Sequence, residues 1–381
     1  MRKPVPITQL LRHPVANSES LESSALLLGA GIFVVAAIVA AIVFLGRVLP
    51  ISGPGSVGQF VALGSAIATA LVVIAAIVLR QASTSSLPMP RHGLDVPTVR
   101  LHWYDIGALA LAHAIIALLG WLGIADLMSR SFAGAVVYAF PATVLAAVAI
   151  AVTAYAVFLS AVSLTPMLLS VVLVVFLAVG AFTSMLSASD PLWWQKNLST
   201  LGISDDISAL AFNLTLIIAG VIVTTIAHYA TATIPVSTPA EVRGRNFVRG
   251  ALILIGVLLA CVGIFPMDEF LGAHNVAASG MAAVFVTMVI GLRRFIPAMP
   301  RVFILLGYLF VGVIVVLAVF YVTGYYNLTA VELVAFLLIF SWLIVFLRNT
   351  GAMPASQQSI VAGRIVVDEP GAVDASSTTT G

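Results

Sequence analysis

Long apolar stretches recur through this chain of 381 residues and limit what it can fold into. A helix needs about 20 predominantly apolar residues to span the hydrocarbon core of a bilayer. Ten stretches have roughly that length: 25–46, 58–80, 104–125, 135–160, 166–187, 207–229, 248–265, 274–292, 302–323 and 330–348. Because a lipid-exposed backbone must satisfy its own hydrogen bonds, the sequence predicts an all-α fold, a polytopic transmembrane helical bundle of about ten spans.

The composition excludes a soluble protein. Hydrophobic residues make up 61% and charged residues 8%, whereas soluble domains carry about 25% charged residues. The net charge of +2 is too small to indicate a nucleic-acid partner. A single cysteine, Cys261, excludes an internal disulfide and a cysteine-based metal cluster. No phosphate loop, nucleophile elbow, dinucleotide fingerprint or zinc-type histidine pair is present, so we predict no catalytic residue, metal site or cofactor.

The chain divides into four predicted segments. Residues 1–24 form a cytoplasmic N-terminal segment, 25–165 a four-span membrane unit, 166–348 a six-span membrane unit, and 349–381 a disordered cytoplasmic tail. The first apolar stretch is longer than the core of a signal peptide, so it is predicted to be a retained span.

Basic residues are distributed unequally between the two ends of the predicted bundle. If the N-terminus is cytoplasmic, three of the 17 basic residues lie outside, namely Arg47, Arg130 and Lys196. The other fourteen lie inside: Arg2, Lys3, Arg12, Arg80, Arg91, Arg100, Arg243, Arg245, Arg249, Arg293, Arg294, Arg301, Arg348 and Arg364. Because basic residues concentrate on the cytoplasmic side, the sequence predicts a multi-pass plasma-membrane protein with both termini cytoplasmic.

The loop between the fifth and sixth spans has the signals of a short surface helix. Asp190 and Pro191 are a good helix start, and Gly202 is a plausible stop. The residues between them predict one helix of about three turns, with Trp193 and Trp194 as interface anchors at the level of the lipid headgroups. The helix could be a surface anchor or a lid over a lipid-facing groove.

The loop between the seventh and eighth spans gathers polar residues after a proline stop at Pro266. Asp268 and Glu269 precede His274, which lies at the mouth of the eighth span. These residues could be a capped helix start, or a proton-sensitive or headgroup-binding cluster. The free amides of that helix start favour an anionic group, whereas the two acids suit an amine-bearing or zwitterionic one.

Polar and small residues within the spans predict particular contacts. Asn213 requires a hydrogen-bond partner on another helix. Gly272, Val276 and Gly280 recur every four residues and predict close packing of the eighth span against a neighbour.

Three further residues bear on the function or on helix ends. His113 lies within a span and is either a functional group or a hydrogen-bonded packing residue. Pro141 could break the fourth span. Glu332 fits a capping box at the start of the tenth span.

The sequence therefore predicts one candidate site on the outer face, formed where the two loops approach each other. Its ligand-binding residues are Lys196, Asn197, Asn213, Asp268, Glu269 and His274. Membrane lipids are the expected ligands, and other membrane proteins are an alternative partner.

The same loops resemble the family known as domain of unknown function 998. The resemblance lies in residues 197–202, in Phe212-Asn213, in residues 263–268 and in His274, and it covers about 166–348. The chain is more distantly similar to the Frag, DRAM and Sfk group of six-span proteins, several of which are associated with lipid or lipid-anchor handling. The resemblance implies a six-span unit and an important outer face, and it supplies no catalytic residue.

Three functions remain open at this stage. The leading interpretation is a non-enzymatic membrane protein that binds lipid or a partner at its outer face. A secondary transporter is the first alternative, and it would be favoured by a broken helix at Pro141 or a midplane cavity near His113. An intramembrane lipid hydrolase is the second, which we expect to need more than one histidine near the outer face.

Overall fold

The computed structural model describes residues 18–85, 103–163, 166–203, 206–232, 234, 236, 238–297 and 299–367. Ten α-helices lie in these ranges: α1 (Ser18–Phe44), α2 (Val57–Ser85), α3 (Trp103–Ser131), α4 (Ala139–Val162), α5 (Pro166–Ser187), α6 (Ile207–Ala232), α7 (Pro239–Ile264), α8 (Leu271–Phe295), α9 (Arg301–Val322) and α10 (Leu328–Val367). Each is long and apolar enough to cross a membrane. The structure confirms the predicted ten-span helical bundle.

Several helices extend beyond the apolar stretches because polar residues cap or continue them. The start of α7 is set by Thr238, whose hydroxyl oxygen accepts a hydrogen bond from the amide of Glu241 at 3.2 Å, while Glu241 accepts one from the amide of Thr238 at 3.1 Å. Helix α1 begins within the predicted N-terminal segment, and α10 continues into the predicted tail. Residues 1–17 and 368–381 lie outside the described part of the chain.

A two-stranded antiparallel ribbon joins two loops at one end of the bundle, where no strand was predicted. Strand β1 (Val48–Pro50) pairs with β2 (Val136–Tyr138), with Leu49 opposite Val137. The second strand occupies residues that were predicted as the start of the fourth span. β-Branched valines in both segments favour extended backbone.

Helices α6 and α7 cross with their backbones in contact. A Cβ atom placed on Gly220 would lie 2.3 Å from the carbonyl oxygen of Gly256, and one placed on Gly256 would lie 2.6 Å from that of Gly220. The close packing predicted for α8 holds at one of its three residues: a Cβ on Gly280 would lie 3.4 Å from Leu258 of α7, whereas a Cβ on Gly272 meets open space and Val276 is 70% exposed. Gly272 and Val276 therefore lie on the exposed face of α8.

One continuous core extends across most of the bundle. Its buried residues come from every helix, from Ala25 in α1 to Leu347 in α10. Helix α3 packs on both α5 and α6, so the predicted four-span and six-span units share this core. The division at residue 165 stays a prediction.

An aromatic cluster fixes α10 against its neighbours. The ring of Trp342 is stacked on Phe303 of α9, with a centroid distance of 4.9 Å, and meets the edge of Phe285 of α8 at 5.4 Å. Trp342 is fully buried. Such ring pairs contribute about 0.5–1.5 kcal/mol beyond the burial of their area. The cluster holds α10 in place, and the first turns of α10 contact the loop between α5 and α6.

Pro141 and His113 do not have the arrangement that would favour a transporter. Pro141 is the third residue of α4, where a missing amide hydrogen breaks no helical bond, and the helix continues to Val162. His113 is buried in α3, with Nδ1 2.8 Å from the Leu109 carbonyl oxygen and Nε2 3.3 Å from the Ser160 hydroxyl. The hydrogen-bonded packing role is therefore the one that the structure supports.

We expect Gly220→Ala to destabilise the protein, because its Cβ atom would overlap the backbone of α7. The expected loss is about 1–3 kcal/mol of unfolding free energy, the usual effect of overpacking, and it should appear as a lower midpoint in thermal unfolding. Gly312→Ala is the matched control, since a Cβ there meets nothing within 4 Å and alanine favours a helix. Equal midpoints for the two variants would contradict the α6–α7 crossing.

Candidate functional site

The loop between α5 and α6 contains a structured stretch, residues 190–202, which we call the surface segment. It forms two 3-10 helices, Trp193–Gln195 and Leu198–Gly202, so the prediction of one three-turn helix is wrong. The break lies at Asn197, whose backbone is extended and whose Oδ1 accepts a hydrogen bond from the Thr200 amide at 2.9 Å. An asparagine that caps a new helix ends the preceding one.

The first half of the surface segment is fixed by Asp190. Its Oδ1 accepts a hydrogen bond from the Leu192 amide at 2.9 Å, and its Oδ2 forms an ion pair with Lys196 at 3.3 Å. The Leu192 amide and the Lys196 ammonium both hold the pKa of Asp190 below its usual value. Lys196 was predicted to contribute to the ligand site, and here it pairs with Asp190.

The two tryptophans have different surroundings. Trp193 packs against the core of the bundle, whereas Trp194 is 48% exposed. The carbonyl oxygen of Trp194 accepts a hydrogen bond from Asn327 Nδ2, just before α10, at 2.9 Å. Trp194 is therefore the more exposed of the two. We call the end of the bundle that carries the surface segment the tryptophan end.

His274 connects the surface segment to α8. It is 4% exposed, with Nδ1 2.8 Å from the carbonyl oxygen of Phe265 and Nε2 2.9 Å from the hydroxyl of Ser199. A carbonyl oxygen only accepts hydrogen bonds, so Nδ1 carries the hydrogen. In the neutral ring, Nε2 then accepts a hydrogen bond from the Ser199 hydroxyl.

Glu332 connects the surface segment to α10. Its Oε2 accepts a hydrogen bond from the Leu198 amide at 2.5 Å. The predicted capping box is wrong, because Asn327 caps α10 by accepting a hydrogen bond from the Ala330 amide at 3.1 Å. Glu332 is thereby directed at the second 3-10 helix, where it satisfies an amide at the start of that helix.

Asn213 makes the third connection, from α6. Its Nδ2 donates a hydrogen bond to the carbonyl oxygen of Gly202 at 2.9 Å. The partner of this amide lies on another helix, as the sequence predicted, and that helix is the second 3-10 helix of the surface segment. A Cβ atom on Gly202 would lie 2.5 Å from Asn213 Oδ1, so a larger residue at this position would displace the Asn213 side chain.

Asp268 and Glu269 lie apart from these bonds. Both are exposed in the short connection between α7 and α8, whereas the ring nitrogens of His274 face Phe265 and Ser199. Three of the six predicted site residues, Asn197, Asn213 and His274, therefore lie around the second 3-10 helix.

Two residues of this site, Ser199 and Glu332, were not predicted as site residues. Ser199 is 75 positions from His274, and Leu198 is 134 positions from Glu332. No local pattern connects residues so far apart. Polar side chains at the starts of α8 and α10 were the available signal, and they were interpreted as helix caps.

A small cavity lies between the surface segment and the ends of α5 and α6. Its volume is about 40 Å³, and its lining residues are Ala188, Ser189, Asp190, Trp193, Thr200, Leu201 and Ser208. By the same measure, about 10–15 Å³ holds one water, so this cavity has room for a few waters and is too small for a lipid headgroup. A lipid headgroup at this cavity would therefore lie against the outside of the surface segment.

Across the described residues, no group of three or more histidine, cysteine, aspartate or glutamate side chains could hold a metal ion. No protein-family model, curated protein or solved structure matches the chain. The resemblance to domain of unknown function 998 therefore stays a prediction.

Proposed function

We propose that this integral membrane protein binds lipid headgroups on the surface segment, at the tryptophan end of its ten-span bundle. The observation that carries this proposal is the way the surface segment is fixed. Side chains from three different places hold it, namely Asn213 of α6, His274 of α8 and Glu332 of α10. A surface that is already ordered loses little conformational entropy when a ligand binds.

The exposed part of the surface segment suits the boundary between lipid tails and headgroups. Leu192 and Trp194 are both about half exposed, and Tyr325 and Tyr326, in the α9–α10 connection at the same end, are also exposed. Tryptophan and tyrosine concentrate at membrane interfaces.

The charges near the start of α8 favour a zwitterionic headgroup that carries an amine. Phe270, before the first turn of α8, gives no side-chain cap, so the first amides of α8 are available to a phosphate group. Asp268 and Glu269 are exposed in the preceding connection and would attract an ammonium group. Phosphatidylethanolamine combines both charges.

The distribution of basic residues supports an extracytoplasmic position for the tryptophan end. Lys196 of that end is paired with Asp190, whereas Arg293, Arg294 and Arg301 cluster around the α8–α9 connection at the opposite end. The positive-inside rule then favours a plasma-membrane protein with both termini in the cytoplasm.

The lipid preference can be measured by native mass spectrometry of protein released from nanodiscs that contain equal amounts of phosphatidylethanolamine, phosphatidylcholine and phosphatidylglycerol. We expect phosphatidylethanolamine to remain bound to the protein more than the other two lipids. Asp268→Asn combined with Glu269→Gln should reduce its retention, because the ammonium loses its partners. Glu22→Gln, an exposed acid at the opposite end, should not. Equal retention of the three lipids, or an unaffected double variant, would contradict the proposal.

The proposed orientation is tested by labelling single cysteines in intact cells, with Cys261 replaced by alanine. A cysteine at Gly272, which faces open space at the tryptophan end, should react with a membrane-impermeant thiol reagent. A cysteine at Ala240, exposed at the opposite end, should react only after the cells are permeabilised. The reverse pattern would overturn the orientation and leave the lipid-binding test unaffected.

A further inference from the structure

We propose that Ser199 and His274 are a nucleophile and its general base, and that they hydrolyse an acyl ester of a membrane lipid. The class of substrate rests on the lipid binding proposed above, whereas the reactivity of the pair does not. A serine hydroxyl becomes an effective nucleophile when a base accepts its proton and a third group orients that base. The structure supplies all three groups.

The hydrogen bonds of His274 set the direction of proton transfer. The Phe265 carbonyl oxygen, 2.8 Å from Nδ1, requires a hydrogen on that nitrogen. Nε2 is thus left with its lone pair directed at the Ser199 hydroxyl, 2.9 Å away. These are the roles that histidine and its orienting partner have in serine hydrolases, with a backbone carbonyl here in place of a carboxylate. This arrangement needs one histidine. A lipid hydrolase at this site therefore does not require the second outer-face histidine that we expected from the sequence.

The two residues of the pair differ in their exposure to the surroundings. His274 is 4% exposed and is shielded from bulk water, whereas Ser199 is only half-buried on the surface segment. Ser199 is therefore the more exposed member of the pair.

The nucleophile is held in place on both sides. The residue before it, Leu198, is hydrogen-bonded to Glu332 at 2.5 Å, and Gly202 at the end of the same 3-10 helix is hydrogen-bonded to Asn213 at 2.9 Å. A fixed nucleophile lowers the entropic cost of reaching the transition state. Glu332 and Asn213 are accordingly positioning residues.

The proposed reaction has two balanced steps. In the first, Ser199 Oγ forms a bond to the ester carbonyl carbon while its proton moves to His274 Nε2, and the bond to the alcohol oxygen breaks as the alcohol takes that proton. In the second, water attacks the acyl-serine, His274 relays its proton to Ser199 Oγ, and the carboxylic acid leaves.

A second serine–histidine pair provides an internal comparison. His113 and Ser160 have the same hydrogen-bond pattern, but their contact is longer, at 3.3 Å, and the pair lies toward the opposite end of the bundle. His113 is bonded to a carbonyl of its own helix. The position at the tryptophan end therefore distinguishes Ser199, and Ser160→Ala is a matched control.

A fluorophosphonate probe tests the pair directly on the full-length protein in nanodiscs. We expect an adduct on Ser199, located by mass spectrometry of wild-type peptides, so that the result does not depend on a variant that folds. Ser199→Ala should abolish this adduct, and His274→Ala should slow its formation by about 100-fold or more, the usual contribution of a general base. Ser160→Ala should leave it unchanged. An unlabelled Ser199 in folded wild-type protein, or labelling at Ser160 in its place, would overturn the proposal.

Hydrolysis of p-nitrophenyl butyrate and of phosphatidylethanolamine separates this proposal from lipid binding. We expect wild type to cleave both esters, and Ser199→Ala to cleave neither. Cleavage of p-nitrophenyl butyrate without headgroup preference would overturn the lipid as substrate and support the reactive pair. Headgroup preference without any adduct on Ser199 would overturn the pair and support the proposed lipid binding.

Discussion

A membrane imposes one constraint on which this structure depends: a polar backbone group away from water must find a partner within the protein. The spans meet it by being helical. The surface segment cannot meet this constraint through its own backbone, because its two short 3-10 helices leave amides and carbonyls without backbone partners. Side chains at the ends of α6 and α10 fill this need, with Asn213 donating to the Gly202 carbonyl and Glu332 accepting from the Leu198 amide. The polar residues of the tryptophan end are thus part of its architecture.

The spans could be predicted because the signal for each is contained in its own sequence. The helix crossings could not, because a glycine repeat does not show which face meets a neighbour. Gly272 and Gly280 share a spacing that permits close packing, yet a Cβ on Gly272 would meet open space, while Gly220 and Gly256 bring two backbones into contact. Pro141 shows the same difficulty, since its effect depends on where the helix begins, and Ala139 is only two residues before it.

The candidate site was predicted in part, and its errors have a common physical origin. His274 and Asn197 were recognised as polar groups of the outer loops and Asn213 as a polar group within a span, and the structure places all three around the second 3-10 helix. Ser199 and Glu332 were missed as members of the site because their partners are distant in sequence and close only in the fold. A polar residue at the start of a helix can cap that helix or bind a neighbouring segment, and packing decides between the two.

Amide hydrogen exchange of residues 198–202 tests most directly the claim that side chains of α6, α8 and α10 hold the surface segment on the bundle. In wild-type protein these amides should exchange far more slowly than those of an unstructured loop. Glu332→Ala should accelerate exchange at Leu198 by roughly tenfold or more, because an unpaired buried amide costs about 1–3 kcal/mol, and Glu269→Ala, which removes an exposed carboxylate, should change nothing. Exchange at unstructured-loop rates in wild type, or equal rates in the two variants, would contradict the account.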